Sequence, residues 1–188
     1  FGANCINGTY GPNTFTITGT NLTTANVTVA TLNGFTYSLD DISYAPSLSI
    51  PQAGGSFSQL VYVKFSPTAV QSYNGNIVVG GGGASNFNVS ASGSGINTAV
   101  SVTTGSSSGI TEIAATLNGS YTGGCSAVTA YGIEYSTLNG FSNGSGTQVS
   151  GTGGTSFSAS LSGLNPNTTY YYKAYATDGT GTVYGSQS

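Results

Sequence analysis

Leu164-Asn165-Pro166-Asn167-Thr168-Thr169-Tyr170-Tyr171-Tyr172-Lys173-Ala174-Tyr175-Ala176 is the stretch on which the fold turns. From Tyr170 onward it reads as a β-strand, because aromatic side chains suit a pleated, half-buried surface. The same signal recurs upstream at residues 99–102, 110–121, 131–135, 147–150 and 156–161, and downstream at Val183-Tyr184. Seven or so short strands in about 90 residues predict a β-sandwich.

The first half repeats the pattern at residues 14–18, 26–29, 35–39, 60–65, 75–79 and 87–89. Between these runs lie Asn33-Gly34, Gly54-Gly55, Pro67 and Asn74-Gly75, which supply the positive or fixed φ that turns need. Val61, Val63 and Phe65 fall on one side of their strand and Tyr62 and Lys64 on the other, as in a half-buried strand. The polar run Ser92-Gly93-Ser94-Gly95 then breaks the pattern. We place a domain boundary near Ile96, giving a first sandwich over 1–96, its first strand truncated, and a second over 97–188. The string TLNGF occurs at 31–35 and at 137–141. The two copies sit at different places in the strand order, so they are not read as an internal repeat.

Composition agrees with an all-β chain of two ordinary domains, since single cores serve about 100–150 residues. Gly, Ser, Thr and Asn dominate its 188 residues; His, Met, Trp and Arg are absent, and the only lysines are Lys64 and Lys173. Disordered chains combine high net charge with few aromatics, whereas this one carries 13 Tyr and 8 Phe at a net charge of −3. A mildly acidic chain without a basic patch lacks the electrostatic footprint of a nucleic-acid binder. No apolar run approaches the roughly 18 residues of a membrane span, and the opening FGANCING lacks the charged and apolar regions of a signal peptide. The chain therefore reads as a mature internal fragment.

Position by position, 164–176 resembles the fibronectin type III signature L-x-P-x-T-x-Y followed by alternating inward residues ending in Ala. The resemblance implies that Tyr170 is a tyrosine corner whose hydroxyl bonds backbone just upstream, and that Tyr172, Ala174 and Ala176 enter the core. The first half is similar to an immunoglobulin-like module of large secreted Bacteroidetes-type surface proteins. There F-T-I-T-G-T-N-L precedes V-x-F-x-P and Y-x-G-x-I, here residues 15–22, Val63-Phe65-Pro67 and Tyr73-Gly75-Ile77. Pairing with an Ala-Tyr-Gly-Ile-Glu-Tyr-Ser type fibronectin-like module also resembles those proteins. The resemblance implies tandem modules on a bacterial cell surface, in stalks, filaments or adhesins, with no catalytic residues to transfer.

The residues themselves offer little chemistry. Hydrolytic, redox and metal sites draw on His, paired carboxylates or clustered thiolates. The acids are only Asp40, Asp41, Glu112, Glu134 and Asp178, with Glu112 and Glu134 expected on outward faces of opposite sheets. No enzyme, metal or cofactor is expected. Asp40-Asp41 lacks the D-x-D-x-D-G spacing of a calcium loop and reads as a turn. Gly80-Gly81-Gly82-Gly83 lacks the lysine and helix of a phosphate loop and reads as a flexible hairpin connection. Glu134 and Lys173 should project from one outer face, where an exposed cross-strand ion pair contributes at most about 1 kcal/mol. Tyr171 and Tyr175 should share that face, as a contact patch for sugar or a neighbouring chain or as ordinary surface tyrosines. N-x-[ST] triplets begin at Asn7, Asn21, Asn26, Asn88, Asn118, Asn143 and Asn167. About five would arise by chance, so they read mainly as composition, with glycosylation a minor alternative.

In the tandem-sandwich reading Cys5 lies near the first turn of module one and Cys125 in the B–C loop of module two, at facing poles. A secreted chain with an even thiol count then suggests a disulfide Cys5–Cys125 clamping the modules, the alternative being two free thiols that behave as small hydrophobes. The expected role is a structural rod segment of an extracellular surface protein, with neighbouring modules and other copies of the protein as partners. The rival is an adhesive module that recognises surface glycans or a protein.

Overall fold

The computed structural model describes residues 1–188, all of them in strands, turns and loops with no helix. The chain divides into two compact units, Phe1–Asn97 and Thr98–Ser188. Each is a two-layer β-sandwich.

Unit one holds β1 (Ala3–Cys5), β2 (Tyr10–Leu22), β3 (Val27–Val29), β4 (Phe35–Ser38), β5 (Leu48–Ile50), β6 (Gly55–Phe65), β7 (Gly75–Gly81), β8 (Ala84–Ala91) and β9 (Ser94–Ile96). One layer runs β2-β6-β4 and the other β5-β3-β7-β8, while β1 pairs in parallel with β9. The period-two pattern of β6 works as its residue types require: Val61, Val63 and Phe65 are buried, and Tyr62 and Lys64 lie at the sheet surface. Phe65 stacks at 5.0 Å on Phe35 and 5.4 Å edge-on against Tyr73, forming an aromatic centre between the layers. The β7–β8 hairpin is tight. Gly81 has φ +91, and a Cβ there would lie 2.0 Å from the Asn26 carbonyl oxygen, so the glycine run is a packing requirement.

Unit two holds β10 (Ser101–Ser108), β11 (Ala114–Thr122), β12 (Ala130–Ser136), β13 (Thr147–Ser150), β14 (Ser156–Ser162), β15 (Tyr171–Asp178) and β16 (Gly181–Tyr184). Its layers run β10-β11-β14 and β13-β12-β15-β16, the three-plus-four strand order of a fibronectin type III sandwich. Leu117, Ile133, Phe157, Leu161, Tyr172 and Ala174 form its core. The strand expected from residue 110 begins only at Ala114. Ile110 is 70% exposed and Glu112 sits in the loop, not on a sheet face.

Each unit fixes one corner through a tyrosine hydroxyl. Tyr170 precedes β15 and accepts a hydrogen bond from the Asn165 N–H at 3.0 Å. In unit one, Tyr73 accepts from the Thr68 N–H at 3.0 Å and the Ala69 N–H at 2.9 Å. Both tyrosines reach back five residues, beside Pro166 and Pro67.

Candidate functional site

The acids are occupied in holding backbone. Asp40 Oδ1 accepts from the Ser38 hydroxyl at 2.7 Å and from the Ile42 and Ser43 N–H groups at 2.9 Å, which draws the carboxyl down to about 2, led by the Ser38 bond. Asp41 has φ +59 and accepts from the Tyr44 hydroxyl, so the pair builds a turn. Asp178 Oδ1 accepts from the Thr180 hydroxyl and N–H at 2.6 and 2.7 Å, bonds that hold its carboxyl below the usual range. No group of three or more His, Cys, Asp or Glu side chains gathers anywhere in the chain.

Glu134 departs from expectation. It pairs in register with Lys173 across β12 and β15, yet it is fully buried and makes no ion pair with that lysine. The reason is the β12–β13 loop, which folds back over the outer face and buries Phe141. Glu134 accepts from the Gly146 N–H at 2.7 Å, the Gly144 N–H at 3.0 Å and Gln148 Nε2 at 3.1 Å. Lys173 Nζ donates instead to the Phe141 carbonyl at 2.6 Å and Asn143 Oδ1 at 2.9 Å, and lies 4.5 Å from the Phe141 ring centre. The two charges grip one loop, the carboxylate by the Gly144 and Gly146 N–H groups and the ammonium by the Phe141 carbonyl and the Asn143 side-chain oxygen. Burial alone would push Glu134 up, but the bonds from Gly146, Gln148, Tyr184 and Gly144 outweigh it and hold the carboxyl below the ordinary glutamate range. Burial, followed by the Glu134 carboxylate, pushes the Tyr184 hydroxyl up to about 12.

The tyrosine face also differs from expectation. Tyr171 remains half-exposed, whereas Tyr175 is only 7% exposed, so the expected patch of two outer tyrosines does not exist. Tyr175 faces Gly132 on β12 and Tyr184 on β16. The missing side chain at Gly132 leaves room for the phenol, and Tyr184 packs beside it at 6.1 Å.

Both cysteines are disulfide-bonded, and as the chain has no others the bond is Cys5–Cys125. Cys5 ends β1, in register with Ile96 of β9. Cys125 lies in the β11–β12 connection, where its N–H donates to the Thr98 carbonyl at 2.7 Å and its sulfur accepts from the Thr98 N–H at 3.3 Å. An oxidised pair is compatible with an extracellular location.

One further feature escaped the sequence reading. Phe87 and Val89 of β8 stand opposite Val79 and Ile77 of β7, both buried, so they share the inner face of unit one. Phe87 is nevertheless 69% exposed. A cavity of about 270 Å³ opens beneath it between β2 and β8, walled by Phe15, Ile17, Leu22, Phe57, Phe87 and Val89. β1 pairs with β9, leaving β2 paired only with β6.

No family model matches this sequence, and no curated protein does. Among solved structures, a two-domain fibronectin type III segment of chicken tenascin is similar over 94% of this chain and 95% of its own, at 18% identity and a TM-score of 0.34. The FN1–FN3 domains of chicken CNTN1 are similar over 100% of this chain and 61% of their own, at 15% identity and a TM-score of 0.32. This chain thus spans less than two thirds of the CNTN1 segment. At these scores the assignment of two β-sandwiches rests on strand order and register alone.

Proposed function

We propose that this chain is a non-enzymatic structural rod segment of a multi-domain protein on the bacterial cell surface, a stalk or filament element whose work is mechanical. The observation that carries this reading is the path of covalent bonds. Tension applied at Phe1 and Ser188 runs through residues 1–5, crosses the Cys5–Cys125 disulfide and continues along 125–188. Residues 6–124 lie outside that covalent path, so with the disulfide closed they cannot be drawn out between the two ends. The low charge of the chain suits close lateral packing with other copies.

Single-molecule extension tests the reading. With the disulfide intact, full unfolding should release a contour length shorter by about 400 Å than in the reduced protein, from about 120 locked residues at ~3.4 Å each. It should also need higher force to begin. Equal lengths and equal forces in the two states would remove the mechanical role. The adhesive alternative retains only Tyr171 of its expected patch, and saturable binding on a glycan array that Tyr171→Ala abolishes would restore it.

A further inference from the structure

We propose that Asn7 and Asn33 are sites of covalent modification without an enzyme, each losing ammonia through a cyclic imide to leave aspartate or isoaspartate, while side-chain clamps protect other Asn-Gly pairs. The sequence holds six such pairs, beginning at Asn7, Asn33, Asn74, Asn118, Asn139 and Asn143. In the reaction the glycine nitrogen, its proton taken by hydroxide, attacks the asparagine Cγ. A C–N bond forms, the Cγ–Nδ2 bond breaks, and the leaving nitrogen takes a proton from water to depart as ammonia. Water then opens the imide at either carbonyl. The balance is one water consumed and one ammonia released, with no change of oxidation state. Glycine favours ring closure because no Cβ crowds the attacking nitrogen.

The folded chain treats the six pairs differently. Asn118 and Gly119 lie inside β11, laddered to β14, and Asn118 Nδ2 donates to the Ser106 carbonyl at 2.7 Å. Asn74 Oδ1 accepts from the Gly93 N–H at 3.1 Å. Asn139 and Gly140 share one clamp: Gln187 Nε2 donates to Asn139 Oδ1 at 2.7 Å, and Gln187 Oε1 accepts from the Gly140 N–H at 3.0 Å. Asn143 and Gly144 are clamped by charges, Lys173 Nζ donating to Asn143 Oδ1 at 2.9 Å and Glu134 accepting from the Gly144 N–H at 3.0 Å. At Asn7-Gly8 and Asn33-Gly34 neither the amide side chain nor the glycine N–H has a hydrogen-bond partner, and both asparagines are exposed.

Asn33 and Asn143 make a matched comparison. Each is the second residue of a four-residue turn, closed by the Phe35 N–H on the Leu32 carbonyl at 3.0 Å and by the Ser145 N–H on the Ser142 carbonyl at 3.1 Å. The glycines that follow have φ +83 and +79, so both turns are type II. Ring closure turns the asparagine ψ away from its type II value of about +120°, so each turn must open locally before it reacts. Opening at Asn143 must in addition break two charge-assisted bonds. Each is worth a factor of about ten or more in the opening equilibrium, which should slow Asn143 at least about tenfold against Asn33. The product at Asn33 reaches the core. A Cβ on Gly34 would lie 2.6 Å from the Tyr73 ring and 3.3 Å from Phe65, so this backbone passes over the aromatic centre of unit one, and isoaspartate lengthens it by one carbon. Each event also takes the net charge one unit beyond −3, in a chain with 2 lysines and 5 acidic side chains.

The test is incubation of the intact oxidised protein at mildly alkaline pH, then fragmentation mass spectrometry of the reduced chain, which places each gain of about one dalton on one asparagine. A parallel sample in urea reports the six pairs without the fold, and there all six should react. In the folded protein Asn7 and Asn33 should react at least about fivefold faster than Asn139 and at least about tenfold faster than Asn143. Gln187→Ala frees both reacting groups of Asn139-Gly140 and should raise the Asn139 rate at least about fivefold, with the Asn33 rate unchanged as the internal control. Asn139 reacting as fast as Asn33 in the wild type, or no faster in Gln187→Ala, would overturn the clamps. Folded protein in which Asn7 or Asn33 stays intact while the urea sample converts would overturn the sites. A faster reaction at Asn143 than at Asn33 would also overturn the proposal, because the Lys173 and Glu134 charges would then be promoting the chemistry.

Discussion

Replacing Glu134 by Gln keeps the side-chain shape and removes the charge, so it isolates what the buried carboxylate does for its loop. Oε1 takes the Gly146 N–H, while Oε2 takes the Gly144 N–H and Gln148 Nε2. A carboxamide turns one of these oxygens into a donor. Facing one way it strands the Gly146 N–H; facing the other it opposes both Gly144 and Gln148. The less harmful orientation loses one bond and leaves a buried N–H unpaired, at about 1–3 kcal/mol, and weakens the two remaining bonds by removing their charge, at roughly 0.5 kcal/mol each. We expect a loss of about 2–4 kcal/mol at pH 7 by urea unfolding. Amide exchange should accelerate across residues 139–148. The pH dependence has a fixed sign. Because the folded carboxyl is held below its unfolded value, its stabilisation is complete above the unfolded value and disappears as pH falls through the folded one. The gap between wild type and variant must therefore close on acidification. A variant within about 0.5 kcal/mol of wild type at pH 7, or a gap that widens as pH falls, would refute the carboxylate clasp.

Three other expectations follow from single contacts. Tyr170→Phe strands only the Asn165 N–H, which lies at the surface and can take water, and should cost about 1 kcal/mol; Tyr73→Phe strands two partly buried N–H groups and should cost about twice as much. Urea midpoints that reverse this order would contradict the corner geometry. Gly81→Ala places a methyl 2.0 Å from a carbonyl oxygen at φ +91 and should cost more than about 3 kcal/mol by thermal unfolding, whereas Gly123→Ala, with nothing within 4 Å, should cost less than about 1 kcal/mol. Native protein should take up no iodoacetamide in denaturant and two equivalents after reduction, and Cys5→Ser with Cys125→Ser should lower stability by up to about 4–5 kcal/mol, the loop-closure limit for about 120 residues.

What the sequence disclosed and what it withheld follow from the range of each interaction. Strand alternation is local, so the residues of β6 and β15 announced their inward sets, and the even cysteine count in a chain built of β-sandwiches suggested the disulfide. Loop cover is not local. Nothing in the spacing of Glu134 and Lys173 indicates that Thr137–Gly146 will fold over them, because a period-two pattern assigns a residue to a face without saying whether that face meets water. Clues were nevertheless present. The second TLNGF copy carries an apolar Phe141 inside a loop, followed by Gly144 and Gly146, whose bare N–H groups approach a carboxylate closely, in a chain with only five acids. The same distinction explains Phe87. Its parity with Val79 places it inward, but inward residues are buried only where the facing layer extends as far as their own strand. Beside β2 that layer stops one strand short. The two cases thus have opposite signs and one cause: Glu134 lies on an outer face that is covered, and Phe87 on an inner face that is not. A lone acid in a nearly uncharged strand, or a large apolar residue on the last strand of the wider sheet, therefore deserves a search for the segment that covers it.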